Sequence, residues 1–199
     1  MFCRRDVVIG GAAVAIFALT KSALAGDPPA ATLVTVARAQ VGVTTIYDPA
    51  YVELPFPGGD IPRERGVCTD VIIRAYRDAF GLDLQTLVNT DMRTAFAEYP
   101  RRWGLTGPNA NIDHRRVGNL QVFLRRRGAA LAYVVPAAFD SGDLVTLKLP
   151  GNLDHIGIVS DQSGPQGLPL LIHNIGQGAR EKEVMHVFPL TGRFRWLPA

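Results

Sequence analysis

The spacing of hydrophobic and polar positions changes partway along the chain and divides it into two halves. Before residue 128, apolar residues recur at helical spacing, and after it they form short alternating or continuous blocks. The first half predicts helices over Thr32–Gln40, Cys68–Phe80, Leu84–Tyr99 and Arg115–Arg127. The second half predicts strands over Ala130–Val135, Leu144–Leu149, His155–Ser160 and Leu168–Asn174, with one or two more within Glu183–Trp196. Helices followed by an antiparallel sheet indicate an α+β fold.

The connection between the first two helices is long and irregular. Residues Tyr47–Arg65 are dense in proline and glycine, which is typical of turns, and they include Tyr47, Tyr51 and Phe56. Neither an internal repeat nor a linker long enough to separate domains is visible. The pattern therefore predicts a single domain over residues 26–199.

The first 25 residues have the features of a secretory signal peptide. Arg4 and Arg5 precede an apolar run over Val7–Leu19, and Ala23-Leu24-Ala25 has the form of a cleavage site. A run of this length is too short to span a bilayer. We expect cleavage before Gly26, a periplasmic or secreted protein exported by the Sec or Tat route, and no membrane span afterwards. The alternatives are a buried helix or a retained anchor.

Charge and composition narrow the class of protein further. The chain has 199 residues, 47% of them apolar, which is enough to build a core and argues against disorder. Its 21 Lys+Arg and 18 Asp+Glu become 18 and 17 once residues 1–25 are removed. Basic and acidic residues then nearly balance, so the net charge gives no reason to expect a nucleic-acid partner. Cys68 is then the single cysteine, and such a thiol is either buried and inert or kept for its reactivity.

Cys68 begins its predicted helix. Apolar residues at offsets of 3, 4, 7, 8, 11 and 12 from it trace one helical face. The opposite face is predicted to carry the i,i+4 pairs Asp70–Arg74 and Arg74–Asp78. The positive end of the helix dipole is expected to lower the pKa of the Cys68 thiol and favour the nucleophilic thiolate. The alternative is a small cysteine in the core.

Two histidines are placed to support such a nucleophile. His155 opens one predicted strand, His173 closes the next, and each lies nine residues from Gly164 in the intervening turn. In a hairpin centred there, the two side chains share one face of the sheet. A catalytic base needs a partner for its second nitrogen, and this arrangement supplies one. Asn174 is the alternative partner if the register shifts by one residue, and two unrelated strand-end histidines are the other interpretation.

The motifs resemble those of a known superfamily. Cys68 at a helix start, Gly142-Asp143-Leu144-Val145, Asp154-His155-Ile156-Gly157-Ile158 and Leu171-Ile172-His173 are similar to motifs of the NlpC-type cysteine peptidases, papain-like bacterial cell-wall hydrolases. More closely, Tyr47-Asp48-Pro49, Gly59-Asp60, Gly66–Val71, Asp113–Arg116 and Gly142-Asp143 resemble an uncharacterised branch of secreted bacterial proteins over about residues 35–197.

The resemblance implies a papain-like fold with assigned catalytic roles. It implies Cys68 as nucleophile, His155 as base and His173 as the third, polar residue. The sequence departs from the common pattern where Gly66-Val67-Cys68-Thr69 replaces Asp-Cys-Ser-Gly, and where the loop between the histidines is longer. The implied substrate is an amide bond in a peptidoglycan stem peptide.

Other residues of the motifs are candidates for substrate binding. Tyr47, Asp48 and His114 are predicted to contact substrate, although a helix cap at Asp113 with an exposed His114 is the plainer interpretation. The arginine clusters at 101–102, 115–116 and 125–127 are interpreted as solvated surface. A zinc site formed by Cys68 and the histidines lacks the usual ligand spacing. We therefore predict no metal or cofactor.

The sequence as a whole predicts an exported, monomeric thiol hydrolase. Two alternatives remain: a non-catalytic wall-binding module on the same fold, and a thiol acyltransferase. Lipid-directed relatives of permuted order place the histidine before the cysteine, and here Cys68 comes first.

Overall fold

The computed structural model describes residues 28–133 and 139–198, in which helices pack on an antiparallel sheet. The helices are α1 (Pro29–Arg38), α2 (Cys68–Phe80), α3 (Leu84–Ala95) and α4 (Val117–Arg126), with short 3₁₀ turns at Phe96–Glu98, Asp113–Arg115 and Pro150–Asn152. The strands are β1 (Ile46–Tyr47), β2 (Arg65–Gly66), β3 (Ala130–Leu131), β4 (Leu144–Leu149), β5 (Leu153–Ser163), β6 (Pro169–Asn174), β7 (Ala179–Lys182) and β8 (Leu190–Phe194). The α+β prediction, with N-terminal helices packed on a C-terminal antiparallel sheet, is confirmed.

The main sheet has six strands in the order β3-β8-β4-β5-β6-β7, and β1 and β2 form a separate parallel pair. Helix α2 and strand β4 have the predicted bounds, whereas β7 was not predicted. Its sequence, Ala-Arg-Glu-Lys, is largely polar because β7 lies at the edge of the sheet. The predicted signal peptide and residues 134–135 of the strand predicted over Ala130–Val135 lie outside the described residues.

The two faces of the sheet are covered differently. On one face, Ile156, Ile158 and Ile172 pack with α1, α2 and α4 in the larger core. On the other, Val145, Leu147, Val159 and Leu171 pack with Met185 from the loop before β8. The position of a residue along β5 or β6 therefore decides whether its side chain meets the helices or the opposite core.

Helix α2 is covered on almost every side. It ends at Gly81, whose φ of 66° is the left-handed C-cap conformation that glycine adopts without strain. Asp70 and Arg74 are buried, and the predicted i,i+4 pairs are wrong. Arg74 instead binds Asp60 in the proline-rich loop, at 2.9 Å from Nε to Oδ2. That loop folds over the helix face that would otherwise be solvated, so the charges pair across elements rather than along the helix.

None of the helices in the part of the chain that the structure describes is long and apolar enough to cross a membrane.

Candidate active site

Cys68 lies at the base of a cleft between the helices and the sheet. It is the first residue of α2 and only 7% exposed. The cleft has a volume of about 470 Å³. Its walls are lined by Tyr47, Pro49, Val67, Arg102, Trp103, Ile112, Arg115, Val117, Asn152, Leu153 and Asp154. The predicted nucleophile therefore lies in a cavity large enough to hold a short peptide segment.

Backbone N–H groups lie around the sulfur of Cys68. Those of Ile156 in β5 and of Thr69 and Cys68 at the helix start lower the pKa of the thiol through hydrogen bonding. Burial nevertheless raises the pKa of the thiol to about 11, and the nearby charge of Asp70 adds to this. The expected lowering of the thiol pKa is wrong, because the desolvation of a buried thiolate outweighs the helix dipole and these hydrogen bonds. Cys68 rests as a neutral thiol at pH 7.

His155 and His173 lie together on one face of the sheet, as predicted. Their rings meet edge to face, with centroids 5.2 Å apart and an interplanar angle of 86°. The pairing of Ile158 with Ile172 places His173 opposite Gly157, two residues from His155. The predicted turn centre at Gly164 is wrong, since Ser163 pairs with Pro169 across a centre at Gln166. An even shift in register leaves both histidines on the same face.

Gly157 makes the contact between the two strands possible at this point. A Cβ atom there would come within 2.6 Å of Leu171 Cγ and 2.9 Å of the Ile172 carbonyl oxygen. The glycine of the His-Ile-Gly-Ile motif is thus required for packing beneath the histidine pair.

The backbone of β5 connects the histidine pair to Cys68. The Ile156 amide that lowers the pKa of the thiol follows His155 directly in the chain. His155 Nε2 and both ring nitrogens of His173 are buried without a partner, whereas His155 Nδ1 is not enclosed in this way. Across residues 28–133 and 139–198, no hydrogen bond joins the sulfur to either imidazole. His155 is 2% exposed and is not among the residues that line the cleft, so Nδ1 is simply the ring nitrogen of the pair that is not fully enclosed.

Burial also determines the charge of the histidines. It lowers the pKa of His155 to about 3, and the neighbouring His173 lowers it further. Burial lowers the pKa of His173 to about 4, with a smaller contribution from Lys182. Both imidazoles are neutral at pH 7, so the resting site contains a thiol and a neutral base rather than an ion pair.

Asn174, the alternative third residue, lies on the opposite face of β6 from His173. Its Nδ2 donates to the Gly66 carbonyl oxygen at 2.9 Å, two residues before Cys68. Asn174 therefore ties the sheet to the turn that leads into α2, and its side chain is not part of the histidine pair.

A buried ion pair fixes the start of α2. Asp70 accepts from the Val67 amide at 2.7 Å, which caps the helix. It also binds Arg115 through two hydrogen bonds, Nε to Oδ1 at 2.8 Å and Nη2 to Oδ2 at 2.9 Å. Thr69 Oγ1 donates to the Arg115 carbonyl oxygen at 3.0 Å. The residues on either side of Cys68 are thus anchored to the turn at Asp113–Arg115.

The three predicted substrate-binding residues have different positions. Tyr47 lines the cleft beside Cys68. The carboxylate of Asp48 binds Arg65 at 3.2 Å and caps the Ala50 amide, and it does not line the cleft. His114 is only 1% exposed, so the interpretation of an exposed His114 is wrong. Its burial between α2, α3 and α4 does not support contact with a substrate in the cleft.

Several cleft residues were not predicted from the sequence. Arg102 forms a short ion pair with Asp154, which also binds Lys148. Trp103 lies against two guanidinium groups, those of Arg102 at 4.8 Å and Arg116 at 4.2 Å from its ring centroid. The interpretation of these arginine clusters as solvated surface is wrong for Arg115, which is buried. The sequence feature that could have identified Asp154 as a residue of the cleft is its position directly before His155.

The described residues contain no group of three or more His, Cys, Asp and Glu side chains that could hold a metal ion.

The buried histidines predict a strong dependence of stability on pH. Burial lowers the pKa of His114 to about 4, and those of His155 and His173 are also lowered. Each remains neutral in the folded state while the unfolded chain takes up a proton near pH 6.5. Stability therefore falls as pH drops below 6.5, by about 2 kcal/mol per histidine at pH 5. Urea unfolding at pH 7.5 and pH 5.0 measures the loss.

His114→Leu provides the matched comparison, since neither ring nitrogen of His114 has a hydrogen-bond partner. The difference between the two pH values should shrink by about 2 kcal/mol in this variant. An unchanged difference would show that His114 is not held neutral.

Fold and site together define an α+β protein with a cysteine in a cleft at a helix start and a buried histidine pair in the adjoining sheet. A family model described as "Domain of unknown function (DUF1287)" matches residues 34–196, and the chain belongs to that family. It is 49% identical over 161 residues to "Uncharacterized protein YijF" of Escherichia coli (strain K12), covering 80% of this chain and 78% of that protein.

Two solved structures show a more distant likeness. One is titled "Crystal structure of NlpC/p60 domain of peptidoglycan hydrolase SagA", with 15% identity, a TM-score of 0.44, and coverage of 84% of this chain and 98% of that one. The other is NlpC1 from Trichomonas vaginalis, with 12% identity, a TM-score of 0.44, and coverage of 88% and 47%. Likeness at this level assigns neither activity nor substrate to the chain.

Proposed function

We propose that the protein is a cysteine hydrolase that cleaves an amide bond in a peptidoglycan stem peptide. The observation that carries the proposal is the position of Cys68, at the start of α2 and within the cleft, where the backbone amide that follows His155 lowers the pKa of its thiol. The resemblance of the motifs to NlpC-type peptidases supports the class of substrate. Digestion of purified muropeptides, read by mass spectrometry, tests the proposal, and the absence of any cleaved product would refute it.

We propose a general-base mechanism, in which His155 reaches the sulfur when substrate binds. His155 Nδ1 removes the thiol proton as the sulfur attacks the amide carbonyl carbon. The backbone N–H groups at the start of α2 bind the oxyanion that forms. The imidazolium then protonates the leaving amine as the carbon–nitrogen bond breaks, and water hydrolyses the thioester that remains. A neutral thiol and a neutral imidazole at rest fit this sequence, since the proton moves only when the substrate is bound.

Burial of the thiol favours a second candidate, a non-catalytic wall-binding module. A buried cysteine with a raised pKa is unreactive in the free protein. Peptidoglycan sedimentation together with the muropeptide digest separates the two: binding without cleavage supports the module, and cleavage supports the hydrolase.

Hydrolysis is expected to depend more on His155 than on His173. The base transfers protons directly, so His155→Ala should lower kcat by roughly two to four orders of magnitude. His173 contacts the His155 ring and acts through it, so His173→Ala should cost less. His186→Ala is the control, because His186 is exposed. Steady-state kinetics on the three variants measures the effects, and near-normal turnover of His155→Ala with an inactive His173→Ala would reverse the roles.

We also propose that the protein is exported and that the mature chain begins at Gly26. The support is the sequence of residues 1–25, with paired arginines, a short apolar run and Ala23-Leu24-Ala25. N-terminal sequencing of protein from the exported fraction tests this, and an intact Met1 in that fraction would contradict it.

A further inference from the structure

The cleft contains two arginines in very different states. The donors of Arg115 are not available to a ligand, since it binds both oxygens of Asp70 and its side chain is 3% exposed. The Arg102 side chain is 48% exposed, and its Nη2 binds one oxygen of Asp154. A guanidinium carries five N–H donors in a planar fork. Within the described part of the cleft wall, Arg102 is therefore the cation with donors left for a ligand.

Arg102 is held in a fixed orientation above the cleft. Its guanidinium lies 4.8 Å from the centroid of Trp103, whose ring also contacts Arg116 at 4.2 Å. Arg116 is itself neutralised by Asp113 at 3.0 Å. Stacking on an aromatic ring orients the planar fork, so little side-chain entropy remains to be lost when a ligand binds.

Asp154 remains neutralised by Lys148 when Arg102 donates to a ligand. One of its oxygens binds Lys148 while the other binds Arg102. The three charges leave a net positive charge at this end of the cleft. Asp154 directly precedes His155, so an anion bound by Arg102 lies at the same end of β5 as the proposed catalytic base.

We propose that Arg102 is a specificity-determining residue that binds a carboxylate of the substrate close to the scissile amide. The proposal rests on the proposed function and adds to it that the enzyme prefers peptides with a free carboxylate. A carboxylate accepts two parallel hydrogen bonds from a guanidinium, which a neutral carboxamide cannot match. The carboxylate can belong to the peptide's C-terminus or to a residue within it, and both share this chemistry.

Binding is measured apart from catalysis, by calorimetry on the chain carrying Cys68→Ala. The probes are a stem tetrapeptide released from peptidoglycan and two versions of it, in which either the C-terminal or the internal carboxylate is a carboxamide. We expect one of the two carboxamide peptides to bind about tenfold more weakly or worse, which identifies the source of the carboxylate. Arg102→Gln should weaken the parent peptide to the same level and leave that carboxamide peptide unaffected.

Two further variants control for general electrostatics. Arg101→Gln removes the same charge from the exposed neighbouring residue and should leave affinity within about twofold. Asp154→Asn frees Arg102 and should tighten binding of the parent peptide.

Equal loss from Arg101→Gln and Arg102→Gln, equal affinity for all three peptides, or no binding of any of them would overturn the proposal. The muropeptide digest is independent of these titrations, so cleavage without a carboxylate preference would overturn the Arg102 assignment alone.

Discussion

Cys68→Ser is expected to abolish hydrolysis while leaving the melting temperature within one or two degrees of the parent. The hydroxyl is close to the thiol in size, and it can accept a hydrogen bond from the nearby Ile156 amide. Serine is a far weaker acid than cysteine, so the same base activates its hydroxyl much less readily than the thiol. Turnover should fall by roughly three orders of magnitude or more.

Muropeptide turnover and thermal unfolding, measured on one preparation, check this result. Cys68→Ala is the companion variant, because it also removes the acceptor for the Ile156 amide and should lower the melting temperature more than serine does. A stable and fully active Cys68→Ser protein would refute the thiol mechanism. A clear loss of stability with activity retained would identify Cys68 as a core residue.

The elements that place the nucleophile follow directly from local sequence. The apolar offsets from Cys68 and the glycine at position 81 predict α2 with its observed bounds. The shared face of His155 and His173 was also predictable, although the turn was placed two residues too early. An error of two residues in the predicted register does not change the face on which a side chain lies, because side chains alternate between the two faces of a strand.

The electrostatics of the site could not be predicted in the same way. The pKa of a helix-start thiol depends on how much structure covers it, and the cover over Cys68 comes from segments distant in sequence. Arg115 and Asp70 are 45 residues apart, and their pairing appears only when the turn at Asp113–Arg115 packs on α2. Periodicity identified Asp70 and Arg74 as surface residues because charged residues are seldom buried.

Asp70→Ala is expected to destabilise the protein by about 3–5 kcal/mol, far more than a change elsewhere on the same helix. Removing the carboxylate leaves the Arg115 guanidinium buried without its partner and the Val67 amide without its acceptor. Breaking one side of a buried ion pair carries a penalty of this size. The start of α2 should also loosen, so turnover should fall with stability. Urea unfolding at pH 7.5 measures the free energy.

Asp78→Ala is the matched control, in the same helix and also paired to an arginine. Asp78 binds Arg63 through two hydrogen bonds of 2.6 and 2.7 Å, but its side chain is 30% exposed and that of Arg63 is 49% exposed. An exposed pair contributes about 1 kcal/mol or less, because water solvates both charges once the pair is broken. The double variant Asp70→Asn, Arg115→Met leaves no uncompensated charge. Its loss in the free energy of unfolding should therefore be smaller than the sum of the losses for Asp70→Asn and Arg115→Met measured singly. Equal losses for Asp70→Ala and Asp78→Ala would show that the buried pair does not hold the nucleophile's helix in place.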